Sequence, residues 1–361
     1  MATTTETNPA LEAGAFPQRT RLSGLDTAMI GHTAEQALAD SVALARHAER
    51  LGYARYWFAE HHGLSAGASS APVITATAVA GATKTIHVGS GGVMIPNHVP
   101  LVVAEQFGTL AALYPGRIDL GVGRSSPPDA ATAVVLGQYL RDYGADDFAD
   151  RVDQLVGFLT GSFPSGRQLG GIYVAPRAQQ PPTVWVLGTS QSAASLAAML
   201  GLPFAFAHHL GRGDAATAFE HYRANFRPSA TLERPYTIVT LLTVVAPTDE
   251  QAALIADSAD LYFYRFFRGG RAPSLLPSVD EAREHSWSEA ERSFATGRRA
   301  GQAVGGPARA GAVIDDLLRR TAADELMLTT QMYSLDDRVR SLELVASLLP
   351  TIANDSRGQV A

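Results

Sequence analysis

"RLSGLDTAMIGHT" (Arg21–Thr33) decides between two architectures. Arg21–Thr27 reads as a β-strand. Thr33 then stands as an N-cap with Gln36 in the capping-box position, opening a helix that runs to Leu51 and stops at Gly52. An open, doubly wound sheet needs a G-x-G-x-x-G phosphate turn after this strand, and "DTAMIGHT" does not supply one. "GVGR" after a later strand lacks the third glycine. The same strand–helix unit recurs along the chain. Strands are expected at Ala54–Ala59, "TIHVGSGGVM", "GRIDLGVG", "TVWVLG", "PFAFA", "YTIVTLLTVVA" and "ELMLTT". Helices are expected at Ala71–Thr83, Pro100–Leu113, Asp142–Thr160, from about Gln191, Asp214–Phe226, Asp249–Tyr264, Pro307–Arg320 and Asp336–Leu349. Eight alternating units predict an α/β fold, a closed (β/α)8 TIM barrel with insertions after strands four and seven. Residues 1–20 read as a disordered extension, 21–352 as one barrel domain and 353–361 as a tail. Ser162–Pro182 and the polar, arginine-rich Gly269–Gly306 are the insertions; the second reads as a long, weakly helical lid or as disorder.

Composition excludes several functions. With 361 residues, a formal net charge of −6 and no basic stripe, the chain is a poor partner for nucleic acid or anionic membranes. The absence of cysteine removes disulfides, thiolate metal sites and cysteine nucleophiles. No secretory leader and no membrane-spanning run is expected, so the default compartment is the cytoplasm.

In a TIM barrel the loops after the strands build the active site. The polar residues at those ends are His61 and His62 after strand two, Gly91 and Gly92 with His98 after strand three, and Arg124 after strand four. Thr189, Ser190 and Ser192 follow strand five, and His208 and His209 follow strand six. Each alone is as readily a solvated loop residue; their shared face is the signal. Because strand side chains alternate, His61 and His62 cannot share an orientation. One should face the mouth, and the other should bond Glu60 or nearby backbone. Ser190 is a natural N-cap, but the helix end it caps can also hold a phosphate, with Arg124 as countercharge. The Gly91-Gly92 pair accommodates a cis peptide or a simple bend.

"AEHH", then "ATKTIHVGSGGVMIPNHVPLVVAEQFGTLAALYPGRIDLGVGR", then "VWVLGTS" resembles the bacterial luciferase-like flavin monooxygenases, in order and spacing from about Leu22 to Leu349. The resemblance implies a (β/α)8 barrel whose mouth holds reduced flavin, usually FMN (FMNH2), or the deazaflavin F420. It implies that His61 matches the functional histidine, that Arg124 and Ser190 match the phosphate contacts, and that Gly91-Gly92 matches a non-prolyl cis peptide. The chain departs from luciferase at Thr189, acidic there, and at Ala193, a threonine there. It reads "GRSSPPD" where many relatives read "GRAPGTD", so the loop Ser125–Asp129 is altered.

The expectation is therefore a two-component flavin-dependent monooxygenase. A separate NAD(P)H:flavin reductase supplies FMNH2, and O2 and a small organic substrate complete the reaction, with natural-product biosynthesis one implied setting and a homodimer the implied assembly. His61 is the expected proton-transfer residue; Gly91, Gly92, Arg124, Thr189, Ser190 and Ser192 would contact the cofactor; His98, His208 and His209 would line the pocket. Rival readings are an F420-dependent hydride-transfer enzyme, a non-catalytic flavin-binding partner subunit, and a metal-dependent barrel hydrolase. The last wants H-x-H on strand one and an acid on strand eight, where the chain has "LDTAM" and "MLTTQ". No metal is expected.

Overall fold

In the computed structural model, residues 20–124, 130–137, 145–166, 172, 174–268 and 274–349 are described. The expected N-terminal extension up to residue 19, the C-terminal tail, the loop Ser125–Asp129 and parts of both insertions lie outside them. The strands are β1 (Arg21–Asp26), β2 (Arg55–Phe58), β3 (His87–Met94), β4 (Ile118–Gly123), β5 (Thr183–Gly188), β6 (Phe204–Phe206), β7 (Thr237–Val245), β8 (Ala303–Gly305) and β9 (Glu325–Thr329). Seven successive strands and β9 pair in parallel, and β9 closes on β1 while β6 pairs β7, so the sheet is a closed eight-stranded barrel. The extra strand β8 pairs only the end of β7, at Thr243–Val245, and lies outside the ring. Three residues with a Gly-Gly exit are too short to show a period, which is why β8 was not expected.

Helices pack around the barrel: α1 (Ala34–Arg50), α2 (Pro72–Ala82), α3 (Pro100–Leu113), the short α4 (Ala130–Val135), α5 (Ala145–Thr160), α6 (Gln191–Leu200), α7 (Ala215–Asn225), α8 (Asp249–Arg268), α9 (Val279–Glu284), α10 (Glu289–Arg299), α11 (Pro307–Thr321) and α12 (Leu335–Leu348). The Thr33 hydroxyl accepts from the Gln36 amide, but the Gln36 side chain bonds Asp40 at 2.7 Å instead of returning to the cap, so only half the expected box forms. The alternative of disorder over 269–306 is corrected for the described part of the segment. From residue 274 on, this segment holds α9, α10 and β8, and both helices open with complete capping boxes, Ser278/Glu281 and Ser288/Glu291. Two paired S-x-x-E signatures supply the amide partners that weak apolar periodicity hides.

Side-chain alternation sorts β2. Tyr56 and Phe58 join the large core between barrel and helices, whereas Trp57 and Ala59 join Leu25, Trp185, Ala205, Ile238 and Met327 inside the barrel. Odd positions of this strand thus point inward. Neighbouring β3 makes room with glycine: a Cβ on Gly91 would lie 2.7 Å from Leu25 Cδ1, and one on Gly89 2.1 Å from the Asp119 carbonyl oxygen. Beneath the apolar layer, near the strands' N-terminal ends, Arg55 donates to Asp119 (2.9 Å) and Glu325 (3.0 Å), while the indoles of Trp57 and Trp185 donate to Asp119 at 2.9 and 3.3 Å. This charged plug closes the bottom of the barrel and leaves the top for chemistry.

Candidate active site

His61 continues the odd, inward parity of β2 past the strand end. Its backbone N–H donates to the Ser69 carbonyl at 2.8 Å, which pins the main chain and leaves the imidazole in the mouth. The residue is exposed to solvent. Surrounding protein nevertheless crowds the ring enough to hold its pKa below that of free histidine; Glu60 opposes this and His62 adds to it. A group that is both open to solvent and partly desolvated lines a concave mouth.

His209, in the 3-10 turn His208–Leu210 that follows β6, lies close enough to His61 for the two rings to couple electrostatically. Burial pushes its pKa down to about 3, with further lowering from His61, His208 and Arg298, so it is neutral at ordinary pH. Its Nδ1 is buried and has no hydrogen-bond partner among the described residues. Buried polar atoms are nearly always paired, so this nitrogen fits a ligand donor or acceptor in the mouth. Burial likewise lowers His208. Arg298, from the last turn of α10, was not anticipated. It ion-pairs with the buried Asp260, donates to Gln331 just past β9, and lies 4.7 Å from the Phe263 ring centre. The only sequence signal for it was the capping box that opens its helix.

Even parity places Glu60 and His62 together, and His98 reaches the same carboxylate from the turn after β3. Glu60 is 4% exposed, and its carboxylate receives His62 Nε2, Asn97 Nδ2 and His98 Nε2, each at 2.9 Å, and the Met94 amide at 3.1 Å. Burial raises the Glu60 carboxyl, but the His98, Asn97 and His62 contacts outweigh it and keep the pKa below the usual range. His98 thus sits on a carboxylate. The ligand atoms of Glu60, His62 and His98 lie within 4.8 Å of one another, as around a metal ion. Yet every contact to Glu60 is at hydrogen-bond length, and four donors on an acceptor-only group account for the cluster.

The Gly91-Gly92 peptide is cis, and β3 shifts register there. A Cβ on Gly92 would lie 2.6 Å from the Gly121 carbonyl oxygen, so the pair leaves no room for side chains. Arg124 is exposed directly after β4, and β4 pairs β5, which leads into α6. Ser190 caps α6: its hydroxyl accepts from Ala193 N at 3.4 Å and lies 2.9 Å from the Ser192 hydroxyl. Thr189 is half-buried, and its carbonyl lies 2.2 Å from where Gly213 would carry a Cβ. Two exposed hydroxyls at a helix N-terminus, an exposed guanidinium on the adjoining strand end and an orphaned imidazole nitrogen fit a phosphate-bearing ring cofactor.

The family model described as luciferase-like monooxygenase matches residues 22–326. A luciferase-like monooxygenase of Escherichia coli (strain K12) is 39% identical over 324 residues, 89% of this chain and 94% of that one. The crystal structure of apo-MsnO8 matches with a TM-score of 0.80 at 35% identity, over 91% of this chain and 98% of that one. Two more distant structures share the fold. One is the oxygenating constituent of 3,6-diketocamphane monooxygenase from Pseudomonas putida in complex with FMN, at 17% identity, TM-score 0.63 and coverage of 91% and 98%. The other is an F420-dependent secondary alcohol dehydrogenase, at 15%, 0.66 and coverage of 92% and 100%. Among the described residues no helix is long and apolar enough to cross a membrane.

Proposed function

The chain belongs to the luciferase-like monooxygenase family, and on that premise we propose that it is a flavin-dependent monooxygenase taking reduced FMN from a separate reductase. With O2 it oxygenates a small organic substrate. The observation that supports this reading is the electrostatic coupling of His61, just past β2, to His209, just past β6, whose Nδ1 is unpaired among the described residues. Bound FMN would supply the electrons and the centre that activates oxygen; the protein's part is binding, orientation and proton control. Arg124, Ser190, Ser192 and the Thr189 turn hold the phosphate. Gly91 and Gly92 let β3 pack against Leu25, Trp57 and the Gly121 carbonyl, and their bare main chain is what they offer the cofactor. His61 takes or gives a proton at an imidazole nitrogen, neutral near pH 7 by virtue of its lowered pKa. His208 and His209 wall the pocket; natural-product biosynthesis remains a setting for the substrate.

Arg124→Ala should weaken FMNH2 binding by about 1.5–3 kcal/mol while scarcely changing the affinity for a flavin without phosphate, because a charge-assisted contact is lost. Anaerobic titration with both ligands reads the difference; equal weakening would put the phosphate elsewhere. The same titration with reduced F420 decides the rival cofactor, since tighter binding of F420 than of FMNH2 would replace the oxygenation reading with hydride transfer.

We also propose a homodimer. Ile74 and Leu113 are 69% and 62% exposed, and Val99 and Val102 54% and 46%, on or beside the neighbouring helices α2 and α3. Exposed apolar side chains of this size on two neighbouring helices fit an association face. Sedimentation equilibrium should return twice the chain mass, and a monomer at micromolar concentration would remove this assembly.

A further inference from the structure

We propose that Glu60 is a positioning residue: its buried carboxylate is the clamp that fixes His61 relative to the Gly91–Asn97 run. This rests on the role given to His61 above. Glu60 immediately precedes His61, and its side chain leaves on the opposite face of the chain. There it gathers His62 from its own loop, the Met94 amide from the end of β3, and Asn97 and His98 from the turn that follows. Helix α5 braces the same turn, since Arg151 Nη1 donates to the His98 carbonyl at 3.0 Å and its Nε pairs with Asp147 at 2.7 Å. One carboxylate thus joins the histidine loop to the end of β3 at Met94 and to the turn after it. The E-H-H and N-H stretches, 35 residues apart in number between Asn97 and His62 (97 − 62 = 35), meet on it.

Only a carboxylate can do this. Ionised, it is acceptor-only with about four lone-pair sites, and four donors use them. A glutamine would turn an –NH2 toward the His98 Nε2–H or the Met94 N–H. Its charge also reaches His61: Glu60 raises the His61 pKa against the lowering by burial and by His62. The other groups that bear on His61 are His209 across the mouth and, around His209, His208 and Arg298.

The test uses the full-length protein and two readouts. In ligand-free Glu60→Gln, the His61 imidazole followed by NMR should titrate at lower pH than in wild type. Single turnover with FMNH2 should slow by roughly 10²-fold, the scale of a misplaced catalytic group. His98→Ala should slow turnover in the same direction, and His98→Gln, which keeps a donor for Glu60, should recover most of the loss. If Glu60→Gln does not fold, the His98 pair decides. An unchanged His61 titration in Glu60→Gln, equal turnover in the two His98 variants, or a stoichiometric zinc ion retained through dialysis would each overturn the clamp. Because the titration needs neither flavin nor substrate, its outcome stands even where the proposed reaction fails.

Discussion

His61→Ala is expected to slow single turnover by about 10²–10⁴-fold, the usual contribution of a proton-transfer side chain. Flavin affinity and the melting temperature should stay near wild type. The geometry separates these effects. His61 is held by its backbone N–H to Ser69, a bond alanine keeps, and among the described residues its side chain makes no hydrogen bond to another element. His62→Ala should mainly lower the melting temperature, because Glu60 loses one of its donors and the fold loses the contact, with a smaller loss of turnover than in His61→Ala. The pH profile carries the sign. His61 has a lowered pKa, so a step needing the neutral ring is intact through neutral pH and fails only as the solution becomes acid enough to protonate it. Single-turnover oxidation with FMNH2 supplied directly removes the reductase from the measurement. Wild-type turnover in His61→Ala would make the histidine structural and would remove the proton-transfer role given to it.

The barrel was legible because parallel strands buried on both faces read as short apolar runs, and "LDTAM" offers no dinucleotide turn. The opposed orientations of His61 and His62 were legible for a similarly local reason: β2 alternates, and the alternation survives past Phe58 into the loop. What stayed hidden depends on distance along the chain. Nothing near Asn97 or His98 in sequence says that Glu60 receives them, so His98 read as pocket wall when it is part of a carboxylate cluster. Arg298 is hidden in the same way, since its partners Asp260 and Gln331 come from α8 and the β9 exit. Helices α9 and α10 are a different case. Their cap signals lay in plain view at Ser278–Glu281 and Ser288–Glu291, and the polar surface between them obscured the pattern.

Asp119→Asn should cost about 3–5 kcal/mol of folding stability, the scale for breaking a buried ion pair. Asp119 has no exposed surface, and Arg55, 5% exposed, stands between it and Glu325. The variant would leave one guanidinium branch without its charge partner. It would also set an amide donor against the Arg55 Nη1–H or the Trp57 indole N–H, both at 2.9 Å in the wild type. Burial raises the Asp119 carboxyl, but Arg55, with help from His87 and Trp57, holds it well below the usual carboxylate range. A depressed folded pKa fixes the pH window. The stabilisation is complete above the unfolded value of about 3.9 and drains as pH falls from there toward the folded value, at up to about 1.4 kcal/mol per pH unit. Urea unfolding of both proteins should therefore show a gap that is constant from pH 7 to 5 and narrows below pH 4. Because Asp119 lies beneath the Trp57–Trp185 layer, flavin affinity in the folded variant should hold even as stability drops. A gap that stays flat down to pH 3 would mean that the carboxylate's charge adds nothing to the barrel floor.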